Sequence, residues 1–505
     1  MTMSSFVLAA LLSLLACAAV AQAAGDAPAC LPLTAIRLVG VHVLPRGEVE
    51  AARGGEMSCP TREAINGFLR RLGERYLRHG LVAVRIVPEP VAADGTLTIR
   101  VDEGRVARLE APAARGDVDT LFPDMVGRPF DLRALEQGLD QANRLPGISM
   151  NARVVPADGG GVDVVLDERA GTPWHGFLAL DNAGTPQTGI LQATVSVGID
   201  NPGGVYDAAG ITLEQTPGRD AGHRRRALSL YYSRPYGYWT LNLGAGWSDY
   251  LNRQRLVYHT VALSGETTSA SARLERVLRR DAARIDSIYL QLSHRRVRHY
   301  FMDAVRDLAS PTLTVAGVGV GQRRFLPRGT LYLRFGLEHG LPVLGARQPA
   351  AAGDGAPVVR FDKWVLGLDA DLRLGACLWQ SRFGWQGSRQ PLPATEQMEL
   401  TSPGAVRGHA RNALAGETAW YWRNTCQGRV ATTWGTVLPR VGLDTGRALR
   451  RGERPPWRGL SGASVGAGLQ RGALGMDLEY SRPLGRPAGF VAEGHRLLAG
   501  AAWSY

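Results

Sequence analysis

A chain of 505 residues is too long for one ordinary domain and calls for several, or for one large closed sheet. Hydrophobic residues make up 45% of it at a mean hydropathy of -0.10, and past the first twenty or so residues no run of 18 apolar residues occurs. That excludes a bundle of membrane helices but not a β-barrel, which places its hydrophobicity in every second residue. Formal net charge is +12, and every basic residue is an arginine except Lys363. With no compact basic block and no nucleic-acid motif, nucleic acid is not an expected partner. A basic pore lining or an acidic membrane surface accounts for the charge better.

Phe6 to Val20 is a near-continuous apolar run followed by Ala21-Gln22-Ala23. It reads as a signal peptide over residues 1–23, although no Lys or Arg precedes it. Cleavage removes Cys17 and leaves Cys30, Cys59, Cys377 and Cys426, an even count that suggests disulfides in an exported chain. Cys30 to Cys59 would brace the first small domain, worth about 3–4 kcal/mol by chain entropy. Cys377 and Cys426 could bridge neighbouring strands. No Cys-x-x-Cys or histidine cluster supports a metal, and no cofactor is expected.

Two α+β units come next. In 30–105, Thr34 to Val39 alternates as a strand. Pro60 opens a helix in which Ile65, Phe68, Leu69, Leu72 and Tyr76 share one face, and Gly80 stops it. Leu81–Val87 and Thr96–Val101 follow as strands around Asp94-Gly95. The order is strand, helix, hairpin. In 106–168 it repeats: strand Val106–Ala111, a helix capped by Asp131 with Leu132, Leu135 and Leu139 on one face, a stop at Pro146-Gly147, then strands Ala152–Val155 and Val162–Leu166.

From Gly171 to Tyr505 short alternating runs recur between Gly, Pro, Asp and Asn clusters. Clear ones are Trp174–Asp181, Leu191–Ile199, Ala227–Arg234, Trp239–Trp247, Ile285–Val297, Leu313–Arg323, Thr330–Leu337, Trp364–Leu374 and Leu378–Gln386. At roughly 20 residues per strand and connection, residues 171–505 hold about 16 strands of a barrel. A raw count gives seventeen, and single-chain bacterial barrels have even numbers, so Leu256 to Ser264 is assigned to a long loop. Five strands follow residue 411: Thr418–Thr425, Leu438–Gly446, Ala463–Arg471, Leu474–Ser481 and Leu497–Tyr505. The stretch before them therefore falls between the eleventh and twelfth strands. The last strand puts Leu497, Ala499, Ala501, Trp503 and Tyr505 on one face, an apolar pattern with an aromatic end that serves as an outer-membrane insertion signal.

Gly462-Ala463-Ser464-Val465-Gly466 matches the G-x-S-x-G of serine hydrolases, but that chemistry needs a strained turn and a helix behind the serine, and neither is expected here. No paired carboxylates stand out, no catalytic residue is assigned, and the chain is not read as an enzyme.

The stretch Pro403 to Arg411 carries Val406-Arg407-Gly408-His409, and Val441 to Gly446 alternates around Asp444, with Gly442 and Gly446 on either side. A cation and an anion that both sit in poor solvent pair, because a lone charge there is costly, so Arg407 is expected to meet Asp444. This Val-Arg-Gly loop and X-X-Asp-X-Gly strand resemble the outer-membrane transporters of bacterial two-partner secretion, the haemolysin and filamentous-haemagglutinin secretion/activation proteins of the POTRA-plus-barrel superfamily. Cys30 and Cys59, Asp102-Glu103-Gly104-Arg105-Val106 and Asn143-Arg144-Leu145-Pro146-Gly147 resemble that family's two POTRA domains. Asp181-Asn182, Thr188-Gly189, Asn201-Pro202-Gly203-Gly204 and Arg482-Pro483-Leu484 match its barrel.

The resemblance implies α+β POTRA domains in the periplasm followed by a membrane barrel in the bacterial outer membrane. It implies a large secreted exoprotein as partner, besides outer-membrane lipid and the barrel assembly machinery, and an Arg407-bearing loop folded into the lumen. A barrel insertase and a passive porin are the alternatives. His409 and Gly442 depart from the family pattern, each replacing an aromatic that would pack the loop tip on the wall. The family also often carries a plug helix, for which Ala24 to Ala29 is too short at about 1.5 Å per residue.

Overall fold

In the first of two compact units, which divide between Arg105 and Val106, β1 (Ala35–Val39) lies parallel to the central β3 (Thr96–Asp102), and β2 (Arg85–Pro88) runs antiparallel on its other side. The computed structural model describes residues 30–54, 60–158, 160–218, 222–347, 358–409, 412–449, 457–492 and 494–505. The signal-peptide assignment, Ala24–Ala29, Cys59, and Ala410 and Arg411 at the end of the loop stretch lie outside them. Cys30 is disulfide-bonded.

Helix α1 spans Arg46–Arg53 and α2 spans Arg62–Arg78. The Thr61 side chain accepts the Ala64 amide at the start of α2, and Gly80 takes φ +84° past its end. The α2 face of Ile65, Phe68, Leu72 and Tyr76 is buried against Leu97, Ile99 and Val101 of β3. Tyr76 donates to the buried Glu103 carboxylate (2.9 Å), which also accepts the His42 and Val43 amides (2.8 and 2.9 Å). Burial and that carboxylate push the Tyr76 phenol well above its usual range. The order is thus strand, two helices, hairpin. Helix α1 is not in the sequence pattern because it buries only Ala52 fully, with Val49 half-buried beside it.

The second unit opens with β4 (Val106–Glu110), β5 (Ile148–Pro156) and β6 (Val162–Ala170), in the order β4-β6-β5. Helix α3 (Leu132–Asn143) starts at Asp131, whose carboxylate accepts the Arg133 amide (2.8 Å). One face of α3 turns Leu135 into the small domain. The other meets turns of the following sheet: Gln141 donates to Thr240 (2.9 Å), and Arg280 pairs with Asp140 (2.6 Å). Just past α3, Arg144 donates to the Tyr206 carbonyl (2.8 Å), and the Tyr206 hydroxyl donates to Glu168 (2.8 Å). These contacts mark which end of the barrel is which.

That sheet is a closed antiparallel barrel of sixteen strands. They are Trp174–Asp181, Gln192–Asp200, Ala208–Gln215, His223–Tyr236, Trp239–Arg255, Thr260–Arg280, Arg284–Phe301 and Thr312–Leu326, then Gly329–Leu341, Asp362–Leu374, Cys377–Ser388, Thr418–Gln427, Gly435–Leu449, Trp457–Arg471, Leu474–Gly485 and Arg496–Ser504. The last pairs with the first through Gly500–Ser504 and Phe177–Asp181, leaving no open edge.

The expected long loop at Leu256 to Ser264 is corrected: residues 256–259 make a short turn, and Thr260 to Ser264 open the sixth strand, which runs 21 residues to Arg280. Thr260, Ala262 and Ser264 share one face and Val261 and Leu263 the other, so the segment alternates as a strand does, and ladder pairing with the fifth and seventh strands holds it extended. Cys377 and Cys426 form a disulfide between the eleventh and twelfth strands, Cα atoms 5.6 Å apart, at the α3 end and on the outward face.

Candidate functional site

The loop of residues 389–417 joins the eleventh and twelfth strands and folds back into the barrel. Its limbs pair through Met398–Glu399 and Ala415–Gly416. Leu400, Val406 and Leu414 of the loop bury against Ala419, Ala448 and Leu460 of the wall, with Phe490 packed on the cluster. Area removed from water at about 25 cal/mol per Å² is what draws the hairpin to the wall. At the tip Gly408 takes φ +87°, and a Cβ there would stand 2.8 Å from Arg482 and Pro483 backbone atoms.

This places Arg407 among inward-facing groups of four strands. Its Nε donates to Asp444 Oδ2 (2.7 Å) and one terminal nitrogen to Oδ1 (2.8 Å), a two-pronged fork. The Arg407 amide donates to Oδ2 as well (3.0 Å), and the Asn424 amide approaches Oδ1 (3.3 Å). The remaining guanidinium hydrogens go to Ser464 Oγ (2.9 Å), the Asn424 carbonyl (2.7 Å) and Thr425 Oγ1 (3.1 Å), with Glu479 at 3.6 Å. The two side chains are 4% and 0% exposed, so both charges are desolvated and each depends on the other. Below them a cavity of about 380 Å³ is lined by Arg382, Arg423, Arg440, Asp477 and Glu479, among others.

Two glycines make room for the fork. A Cβ on Gly442 would stand 2.3 Å from the guanidinium, and one on Gly462 would stand 2.0 Å from the Arg407 carbonyl. Gly442 therefore leaves the guanidinium its space. Gly446 is buried under Leu400 on the same strand. His409 is 2% exposed; its Nε2 donates to the Ser461 carbonyl (3.1 Å), and its ring meets Phe490 edge-on at 6.2 Å. Gly442→Ala is expected to dislodge the tip and speed proteolysis of the loop at least tenfold. Gly468→Ala, where the new methyl meets only ordinary contacts starting at 3.5 Å, should leave the rate unchanged in the same limited digest.

A second tie holds the loop's first limb. Lys363 lies between Glu396 of the loop (2.8 Å) and Glu338 of the ninth strand (2.9 Å). Arg295 donates to the Thr395 carbonyl (3.0 Å), and Gln386 to the Glu396 carbonyl (2.8 Å). Strands seven, nine, ten and eleven thus hold the root, while strands twelve to fifteen hold the tip.

The sequence reading assigned Arg407 and Asp444 to this site but not Ser464, Thr425, Glu479, Lys363 or Glu396. Ser464 is the serine of Gly462–Gly466; it sits in mid-strand with no helix behind it and serves the arginine. Strand parity could have found it, since Gly462 and Ser464 share the inward face. Trp503 and Tyr505 lie at the closing seam, stacked at 6.2 Å, and the Tyr505 amide donates to the Gly176 carbonyl (2.9 Å). Among the described residues no His, Cys, Asp and Glu group could hold a metal.

Residues 160–469 match the family model of haemolysin secretion/activation proteins ShlB/FhaC/HecB, residues 31–104 a ShlB-type POTRA domain and residues 99–156 a further POTRA domain. The chain is 34% identical over 457 residues to the hemolysin transporter protein ShlB of Serratia marcescens, covering 90% of this chain and 82% of that one. It is 30% identical over 505 residues to the outer membrane transporter CdiB-2 of Burkholderia pseudomallei strain 1026b, covering 94% and 85%. The solved structure of CdiB from Escherichia coli superposes with a TM-score of 0.90 at 24% identity, over 96% of this chain and 92% of that one.

Proposed function

Because the chain belongs to the haemolysin secretion/activation protein family, an outer-membrane transporter family of the two-partner type, we propose that it captures one large exoprotein in the periplasm and threads it unfolded through the barrel. The Arg407–Asp444 fork carries this reading. A barrel built only to pass solutes has no use for an inward loop held by two desolvated charges. The fork fixes the loop, and the loop sets the conducting state of the pore.

The lumen suits an unfolded passenger. Its wall carries paired charges, such as Arg334 with Asp369 (3.5 Å) and Arg440 with Glu479 (3.0 Å), that offer an extended chain polar contacts along its path. Capture falls to the two POTRA domains, residues 30–105 and 106–168, whose edge strands β2 and β5 expose Val87, Val154 and Val155 beside open backbone groups. An extended passenger segment adds there as another strand. The Trp503–Tyr505 end is the signal that the barrel assembly machinery reads. No nucleotide supplies energy; folding of the passenger outside drives the passage, and the protein performs no chemistry of its own.

The test removes residues 30–105 and keeps Val106–Tyr505, a compact unit by itself. The truncated barrel should conduct ions in planar bilayers and export nothing. Export at the full-length level would overturn the capture role.

A further inference from the structure

We propose that the outward face of the fourth to seventh barrel strands, at the extracellular edge of the membrane, is a binding site for the phosphate groups of the outer leaflet's glycolipid, lipid A. This rests on the membrane placement of the barrel. Register fixes which residues face outward together. Arg226, Asp249, Glu266 and Arg298 lie in one row, and Leu228, Trp247, Thr268 and Arg296 in the row beneath it. Nearer α3 the outward face of the same strands is mostly apolar and exposed, with Leu230, Leu243, Leu274, Leu290 and Leu292, and its polar members are Arg234 and His294.

Distance along the strands sets the level. Tyr236, Trp239, Arg276 and Asp286 bound the apolar face at the α3 end. On each strand the outward residue ten positions further on is polar: Arg226, Asp249, Glu266 and Arg296. Ten residues of tilted strand climb about 25 Å, the height of the apolar band of an outer-membrane barrel. Since α3 is periplasmic, these groups stand at the outer surface, with Trp247 just beneath them.

The charges are unequally satisfied. Asp249 is shared by Arg226 (2.6 and 2.9 Å) and Arg224 (2.9 Å), and Glu266 accepts the Trp247 indole N–H (2.9 Å). Both carboxylates are therefore engaged. Arg296 and Arg298, two residues apart on the same outward face, have no ion-pair partner among the described residues. Four arginines against two carboxylates leave an excess of positive charge where the bilayer presents phosphates. A planar guanidinium fork suits a phosphate, and an outward cation at the hydrocarbon edge is tolerated only if an anion or water meets it.

The experiment uses the full-length chain in nanodiscs of zwitterionic lipid doped with fluorescent bisphosphorylated lipid A, its dephosphorylated form as comparison and inorganic phosphate as competitor. The wild type should gather the bisphosphorylated lipid at least tenfold better than the dephosphorylated one. Arg296→Gln with Arg298→Gln should erase most of that preference. Arg273→Gln with Arg334→Gln, which removes the same charge from the lumen, should keep it. Unchanged preference in the first double variant, or equal uptake of both lipids, would overturn the site. Displacement by inorganic phosphate at the lipid's own concentration would make it a free-anion site instead. A wild-type barrel that did not enter the bilayer would overturn the membrane placement, and the lipid site with it.

Discussion

Arg407→Ala stops export of the partner protein while the barrel still reaches the membrane and keeps its heat-resistant mobility on gels. The size follows from burial. Removing one partner leaves Asp444, 0% exposed on its side chain, as an uncompensated charge, a loss of about 3–5 kcal/mol, or roughly two to four powers of ten in the population of the docked loop. Asp444→Asn should be nearly as severe, because an amide NH2 would face the Arg407 donors in place of an acceptor oxygen. Arg407→Lys keeps the charge but has no planar fork to reach Asp444, Ser464 and the Asn424 carbonyl together, so it should export poorly as well. The double variant Arg407→Ala with Asp444→Ala separates stability from role. Its thermal stability should exceed that expected from adding the two single losses, since no lone charge remains, while export stays absent. Normal export from Arg407→Ala would remove the fork from the mechanism.

Why the fork could be read from residues and its setting could not is a matter of range. Arg407 and Asp444 each sit in a short run with turn or strand texture, and the cost of a lone charge in poor solvent suffices to pair them. Ser464 lies 57 positions from Arg407, and although strand parity puts it on the inward face, nothing local to Gly462–Gly466 names the arginine as its partner. Several barrel strands were legible from an apolar outward face, as in Trp174–Asp181, whose limits agree with the structure, while Ala208–Gln215, with Ile211 and Leu213 exposed, was not among those named. They were not legible above the membrane. Thr260 to Ser264 has only Val261 and Leu263 as large apolar residues, too short a pattern to set it apart from a loop, and the ladder makes it a strand. Helix α1 went unseen for the related reason that its apolar stripe is one alanine and one half-buried valine wide.

Lys363→Met tests whether the loop has two fastenings instead of one. The lysine is buried between Glu396 and Glu338, and without it two carboxylates face each other on limb and wall. The first limb should lift while the tip stays forked to Asp444. Arg295 on the Thr395 carbonyl and Gln386 on the Glu396 carbonyl retain part of the attachment, so export should fall about tenfold, not vanish. Single-channel recordings should show frequent brief openings that the wild type lacks. The same contacts supply a rescue. Lys363→Met with Glu338→Gln and Glu396→Gln removes cation and anions together, which for buried ion groups is often neutral, and should restore quiet recordings. If Lys363→Met alone recorded and exported like the wild type, the loop would hang from its tip only. The docked state would then depend on Asp444 alone, and strands seven, nine and ten would be wall without being anchor.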